Sequence, residues 1–495
     1  MLTRLIISGF KNLVDVDIRF GPFTCIAGAN GTGKSNLFDA IRFLSALSDQ
    51  TLIDAAMSVR DEKGHGGDIR SLFHRVGDQY ENTMHFAAEM IIPETGVDDL
   101  GQDAKASITF LRYELDLEYK LEGGVYSRGG LELKREVLNQ INLSDAPSNL
   151  LFPNKVKWRK SAISGRRTSP LISTDKEGKY IMRHQDGSGG RPLQRLAYSL
   201  PRTVLSASSA AESPTALMAR REMQSWKLLQ LEPSALRSPD NYKSPAHLGM
   251  DGAHLASTLY NLAHRNLPIA MQAVPDREAE SRIYGQVVNS LATLIDDVRR
   301  VWVDPDPQRE LLTLFASGKD GTPIPARSLS DGTLRFLALS VLELDPESKG
   351  LLCLEEPENG IHPSRIPAML SLLKRIAMDV EEPIGPDNPL RQVIINTHSP
   401  AVVAQVPEDS LLIAELKPTV RNSQKFSRAS FACLPNDWRT KADPKPDEVA
   451  MGMLLSYLNP ASEEQELVTS TKSDKNSFVE RRVMDREDVR QLYLF

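Results

Sequence analysis

The chain has 495 residues, enough by length for about two to four domains, and its 41% apolar and 25% charged content is that of an ordinary globular protein. No run of about 18 apolar residues occurs, which excludes a membrane-spanning helix, and three cysteines are too few for a disulfide framework. A net charge of −6 and a pI near 5.9 exclude a globally basic nucleic-acid binder, so any such contact must be a local patch. The opening MLTRLIISGF turns polar too quickly for a signal peptide, and Cys25 and Cys353 sit in apolar runs; the expected compartment is the cytoplasm.

In chain order, Thr3–Ser8 and Val14–Phe20 alternate as strands, joined by Phe10-Lys11-Asn12-Leu13. Phe23–Ala27 is a short buried strand, GANGTGKS (Gly28 to Ser35) a glycine loop, and Asn36–Leu44 has apolar residues at helical spacing. Strand, loop and helix in that order are the context that G-x-x-x-x-G-K-[ST] requires to wrap phosphates with backbone N–H groups at a helix start. The expected nucleotide positions are Asn30, Gly31, Gly33, Lys34, Ser35 and Asn36, with Lys34 on the β- and γ-phosphates and Ser35 on Mg²⁺.

Residues 60–68 form a polar, glycine-rich loop, where His65 has Asp61 and Asp68 nearby but no second His or Cys, and is expected to be solvated. Met84–Ile92, Ala106–Tyr119 and Gly130–Glu136 alternate as antiparallel strands with one face buried. The segment Lys155–Arg167 is basic, free of acids, and carries Trp158. It reads either as a nucleic-acid contact, with lysines and arginines along a phosphate backbone and Trp158 stacked on a base, or as a solvated loop. Ala216–Leu231, His254–Asn266 and Glu278–Val298 are predicted helices, without the sustained heptads of a coiled-coil arm. His247, His254 and His264 are spaced too far apart to share one helix face as ligands.

Val301–Val303 and Leu311–Phe315 are predicted strands. Arg327-Ser328-Leu329-Ser330-Asp331-Gly332-Thr333 opens an apolar helix, Leu334–Leu344. Gly350–Leu354 is a buried strand ending in Glu355 and Glu356, and a helix over about 364–378 follows. Gln392–Asn396 is another buried strand, ending in Thr397-His398-Ser399-Pro400. Strands alternating with helices predict a parallel sheet covered on both faces. Beyond about residue 420 the chain is polar, and 460–477 reads as disordered before a short terminal helix.

Two acids at the end of an apolar strand suit a nucleotide site, one orienting Mg²⁺ through water and the next polarising the attacking water. His398, ending a second buried strand, would reach the same strand ends, where open α/β sheets bind ligands. With these comes Leu329-Ser330-Asp331-Gly332-Thr333, which resembles the LSGGQ signature of ABC-type ATPases. Taken together, the glycine loop, this signature, CLEEPENGIHP, NTHSP and the opening strand-GFKNL-strand resemble the ABC-type ATPase heads of the SMC/RecF/RecN class. More narrowly they are similar to RecF-like AAA family ATPases, often found in phage-defence loci. The motifs cover residues 1–45 and about 325–405.

That resemblance implies an α/β P-loop fold of ABC-ATPase type. A mostly parallel, helix-covered sheet would be joined by an antiparallel β subdomain and a mixed inserted lid. It implies an ATP- and Mg²⁺-dependent ATPase acting as a nucleotide-switched homodimer in DNA transactions or phage defence. The alternative is a slow or non-hydrolysing scaffold that regulates a separate effector such as a nuclease. Glu356 would be the catalytic base, His398 the switch histidine, Lys34 and Ser35 the phosphate and metal ligands. Ser330 and Gly332 would meet the γ-phosphate of a partner subunit, and Lys11 would lie near the nucleotide. Glu355, the second metal position, stands where most members carry Asp, and no Q-loop glutamine is assigned. The expected division is 1–145 for the N-terminal lobe, 146–300 for the insertion, 301–420 for the C-terminal lobe, and 421–495 for a polar extension.

Three rivals share parts of the pattern. A transporter subunit would bring its signature much closer to the glycine loop. Thr440-Lys441-Ala442-Asp443 imitates a guanine-reading motif but follows no buried strand. Leu411–Glu415 could open a nuclease domain of the OLD type, but no following strand ends in D-x-D.

Overall fold

Phe23–Ala27, Gly350–Glu355 and Arg391–Thr397 are buried along almost their whole length, and such strands require cover on both faces. The computed structural model, which describes residues 1–59, 68–120, 130–186, 191–264, 277–292, 298–421 and 424–458, provides that cover. The three lie side by side in a six-stranded sheet ordered Lys227–Leu229, Gly350–Glu355, Arg391–Thr397, Phe23–Ala27, Leu411–Arg421, Gln424–Cys433. All neighbours are parallel except the last pair, a hairpin.

Alternate residues of these strands feed two different cores. Ile26, Leu351, Cys353, Ile394 and Leu412 join the helix Lys34–Leu47, which buries Leu37, Phe38, Ile41, Phe43, Leu44 and Leu47. Cys25, Ala27, Leu352, Leu354, Val393 and Ile395 join the helices Asp331–Leu344 and Ile366–Ile376 on the other side. Each fully buried Leu or Phe is worth roughly 1.5–3 kcal/mol, so both faces are strongly held.

Register then decides where the strands end. Glu355 pairs with Asn396, and Thr397 with Ala27. The glycine loop, the acid pair and the Thr397-His398 turn therefore leave the sheet at one carboxyl edge.

A second sheet of eight strands is wholly antiparallel, in the order Leu193–Leu196, Tyr180–Arg183, Ile172–Thr174, Gly130–Gln140, Phe110–Lys120, Thr83–Ile91, Leu2–Ser8, Val16–Arg19. It packs on the outer face of the helix Lys34–Leu47 through Phe10, Phe43 and Phe86, whose rings lie 5.6–6.0 Å apart. A third, four-stranded sheet holds Arg300–Asp306 and Leu311–Ser317 beside the helices Leu255–His264 and Arg277–Ala292.

Several sequence boundaries move. The region 146–300 is not one inserted unit: its strands between Ile172 and Leu196 extend the antiparallel sheet, and Lys227–Leu229 edges the parallel one. The predicted helix Ala216–Leu231 stops at Gln224, because Ser225 is pressed against Gly350 and the next residues pair with the acidic strand. A Cβ on Gly350, which has φ +82°, would lie 1.9 Å from the Ser225 hydroxyl. Residues beyond 420 are not merely a polar extension, since Gln424–Cys433 completes the six-stranded sheet. Among the described residues the longest helix is Arg277–Ala292, with 16 residues, and none is long and apolar enough to cross a membrane. The His65 loop and the segment 460–495 lie outside the described residues.

Candidate nucleotide site

Gly31 and Gly33 adopt φ of +80° and +104°, which a side chain would strain, and Gly33 caps the helix that starts at Lys34. The loop is also backed closely: a Cβ on Gly28 would sit 2.5 Å from the carbonyl oxygen of Ala414, and one on Gly33 2.7 Å from the Ala429 Cβ. Both neighbours belong to the hairpin Leu411–Cys433, so the chain past residue 410 shapes the loop. Lys34 Nζ donates to the carbonyls of Gly28 at 2.6 Å and Ala29 at 2.9 Å. Burial lowers the Lys34 pKa, against the opposing pull of Glu356, Glu358 and Glu355.

Across the cleft, Glu355 accepts from Gln230 Nε2 at 2.8 Å and from Asn396 Nδ2 at 3.3 Å. Glu356 turns out of the strand at φ +44°, its N–H held by Asn396 Oδ1 at 3.0 Å. Its carboxylate accepts from Asn359 Nδ2 at 2.7 Å and meets His398 Nδ1 at 2.6 Å. Desolvation pushes the Glu356 pKa up, but these two partners outweigh it and hold the carboxyl below its usual range. An ionised carboxylate can only accept, so His398 donates to it through Nδ1. Glu358, two residues on, is buried, and desolvation raises its pKa while Thr397 donates to one of its oxygens.

The resulting cleft encloses about 540 Å³. Asn30, Gly31, Gly33, Lys34, Ser35, Asn36, Glu355 and Glu356 line it. A fold-strained glycine loop, a buried lysine and two carboxylates make a donor set that fits a magnesium nucleotide. Among the described residues no group of three or more His, Cys, Asp or Glu is arranged to hold a metal ion by itself.

Other predicted positions lie elsewhere. Lys11 does not line the cleft: it is ion-paired with Asp39 on the loop helix, because the left-handed turn at φ +50° directs it there. His398 touches the cleft only through Glu356. Ser330 caps the helix Asp331–Leu344, accepting from Thr333 N at 3.2 Å, and neither it nor Gly332 lines the cleft of its own chain.

Trp158 is fully buried on Phe152, with rings 5.6 Å apart, so it cannot stack on a base. Lys157 pairs with Glu382 at 2.7 Å and Arg167 with Asp186 at 3.0 Å. Part of the basic segment thus finds acids in three dimensions. Thr440 and Lys441 lie in a 3-10 turn, not at a strand end.

Sequence reasoning missed Gln230, Arg335, Asn359 and Asn396. Gln230 was hidden inside an over-extended helix, although Trp226-Lys227-Leu228-Leu229-Gln230 does have the form of a short strand ending in a polar residue. Asn359 and Asn396 lie within motifs whose acids and histidine drew attention first.

Parallel topology, glycine loop and paired acids at one edge define a P-loop ATPase fold. The family profile described as "AAA domain, putative AbiEii toxin, Type IV TA system" matches residues 23–404, and the chain belongs to that family. It is 37% identical over 73 residues to the "DNA replication and repair protein RecF" of Porphyromonas gingivalis, covering 14% of this chain and 19% of that protein. It is also 25% identical over 154 residues to the "Energy-coupling factor transporter ATP-binding protein EcfA1" of Fusobacterium nucleatum, covering 29% of this chain and 58% of that one. The matches thus span less than two thirds of these relatives' own length. Among solved structures, an SmcHead bound to the C-winged helix domain of ScpA aligns with 86% of this chain and 97% of its own, at 16% identity and a TM-score of 0.44.

Proposed function

We propose that the chain binds ATP in this cleft, hydrolyses it, and uses the terminal phosphate to close onto a second copy. The observation that carries the reading is the convergence of the glycine loop, Glu355, Glu356 and His398 on one sheet edge. Lys34 and the loop N–H groups hold the β- and γ-phosphates, and Ser35 and Glu355 are the metal positions. Mg²⁺ held by Ser35 and Glu355 would supply positive charge to offset that of the phosphates.

Glu356 accepts a proton from a water that attacks the γ-phosphorus as the bond to the bridging β-phosphate oxygen breaks. Asn359 and His398 hold that carboxylate in place and ionised, which suits a base. Gln230, bound to Glu355, is poised to report occupancy to the segment that follows it.

Ser330 and Gly332 are not among the residues that line their own cleft, which leaves them to meet a nucleotide on a second copy, with two equivalent contacts and two-fold symmetry. The relatives named for DNA replication and repair support DNA as the client. Phosphate release by wild type, Lys34→Ala and Glu356→Gln proteins tests the reading. Both variants should lose turnover, with Glu356→Gln still binding ATP. Equal turnover in all three would refute it.

A further inference from the structure

The signature helix Asp331–Leu344 contributes two residues to the nucleotide cleft of its own chain, Arg335 and Leu339, one turn apart. Lys34 and Arg335 are the two basic side chains among the lining residues. Arg335 donates through Nη1 to the carbonyl of Asn359, while its Nε is buried with no hydrogen-bond partner. Among the described residues it forms no ion pair.

A guanidinium directed at a cleft, with donors unused and no carboxylate of its own, is an incomplete arrangement. It is completed by an anion, and Arg matches phosphate oxygens well. Its place in the cleft selects which phosphate. Asn359, whose carbonyl holds Arg335, donates its side chain to Glu356, the acid at the hydrolytic end.

We infer that Arg335 binds the terminal phosphate of the ATP held in the glycine loop of the same chain. This rests on the ATP-site reading above. It also gives the signature helix two duties: Arg335 touches its own nucleotide, while Ser330 and Gly332, one turn earlier, face a second copy. The helix therefore senses the γ-phosphate from its own site before presenting its tip.

The test compares fluorescent ATP and ADP analogues with Mg²⁺ in a Glu356→Gln, Ser330→Arg background, which removes the base and the signature contact between copies. Arg335→Ala should weaken the ATP analogue by about 10- to 50-fold and the ADP analogue by less than about twofold, with Arg335→Lys between. Lys34→Ala should weaken both. Equal loss for both analogues in Arg335→Ala, as a purely structural tie to Asn359 would give, overturns the inference, and so does no loss for either. If Lys34→Ala leaves both affinities unchanged, the site reading fails and takes the inference with it. A change confined to Lys34→Ala removes Arg335 alone. Melting temperatures without nucleotide separate these outcomes from misfolding, and Arg335→Lys provides the conservative variant.

Discussion

Single side chains in this molecule are tuned by what surrounds them. Glu356 is held ionised by Asn359 and His398, so replacing Asn359 with Leu should raise its pKa. The acid limb of the pH–rate profile should then move to higher pH, and an unmoved limb would show that Glu356 is not the titrating base. Glu136 behaves oppositely. Fully buried, it accepts from Val204 N at 2.7 Å and Leu205 N at 2.8 Å, yet desolvation pushes its carboxyl up to about 7. Between the ordinary carboxylate range and pH 7 the folded chain binds more protons than the unfolded one, so this group costs stability as pH rises. The cost is fully absent well below the unfolded pKa, and reaches about 3 kcal/mol above pH 7. Melting should therefore occur at lower temperature at pH 8 than at pH 6, and Glu136→Gln should flatten that slope.

Elements meet the site through contacts that bridge distant parts of the chain. The hairpin Leu411–Cys433 touches Gly28 and Gly33 closely enough that Gly33→Ala must both strain its φ of +104° and displace Ala429. A loss of about 1–3 kcal/mol is expected, read as a lower melting temperature together with weaker ATP binding. The short helix Pro233–Arg237, seven residues past Gln230 at its end, reaches the signature loop, where Arg237 pairs with Asp331 and donates to the Leu329 carbonyl at 3.1 Å. Asp331 stands where LSGGQ has glycine, and its charge would repel an incoming phosphate unless Arg237 offsets it. Arg237→Ala should weaken ATP-driven self-association about tenfold, or 1.4 kcal/mol. Adding Asp331→Gly should restore it, and sedimentation of the single and double variants decides.

The whole molecule is expected to switch between single and paired copies. Glu356→Gln with ATP and Mg²⁺ should sediment as a dimer and with ADP as smaller species, and Ser330→Arg should abolish the dimer while ATP still binds. A dimer that survives Ser330→Arg would exclude the signature loop from the interface. With Trp158 in the core and Lys157 and Arg167 paired, neutralising Lys157, Arg159 and Lys160 should leave the salt dependence of any DNA binding unchanged.

Short-range chemistry was enough to read the glycine loop, the buried strands and the acids and histidine at their ends. Each is specified by neighbours within about ten residues: φ-permissive glycines, unbroken apolar runs, and polar residues where a strand leaves the core. The rest depends on contacts between segments hundreds of residues apart. Strand register put Asn396 beside Glu355. The press of Ser225 on Gly350 ended a helix early and delivered Gln230 to the cleft. Packing buried Trp158, and Glu382 and Asp186 took up charges that looked free. Whether a basic or acidic side chain is available for a ligand is set by its partners in space, and only the tertiary structure decided that Lys11 is ion-paired with Asp39 while Arg335 keeps an unpartnered Nε.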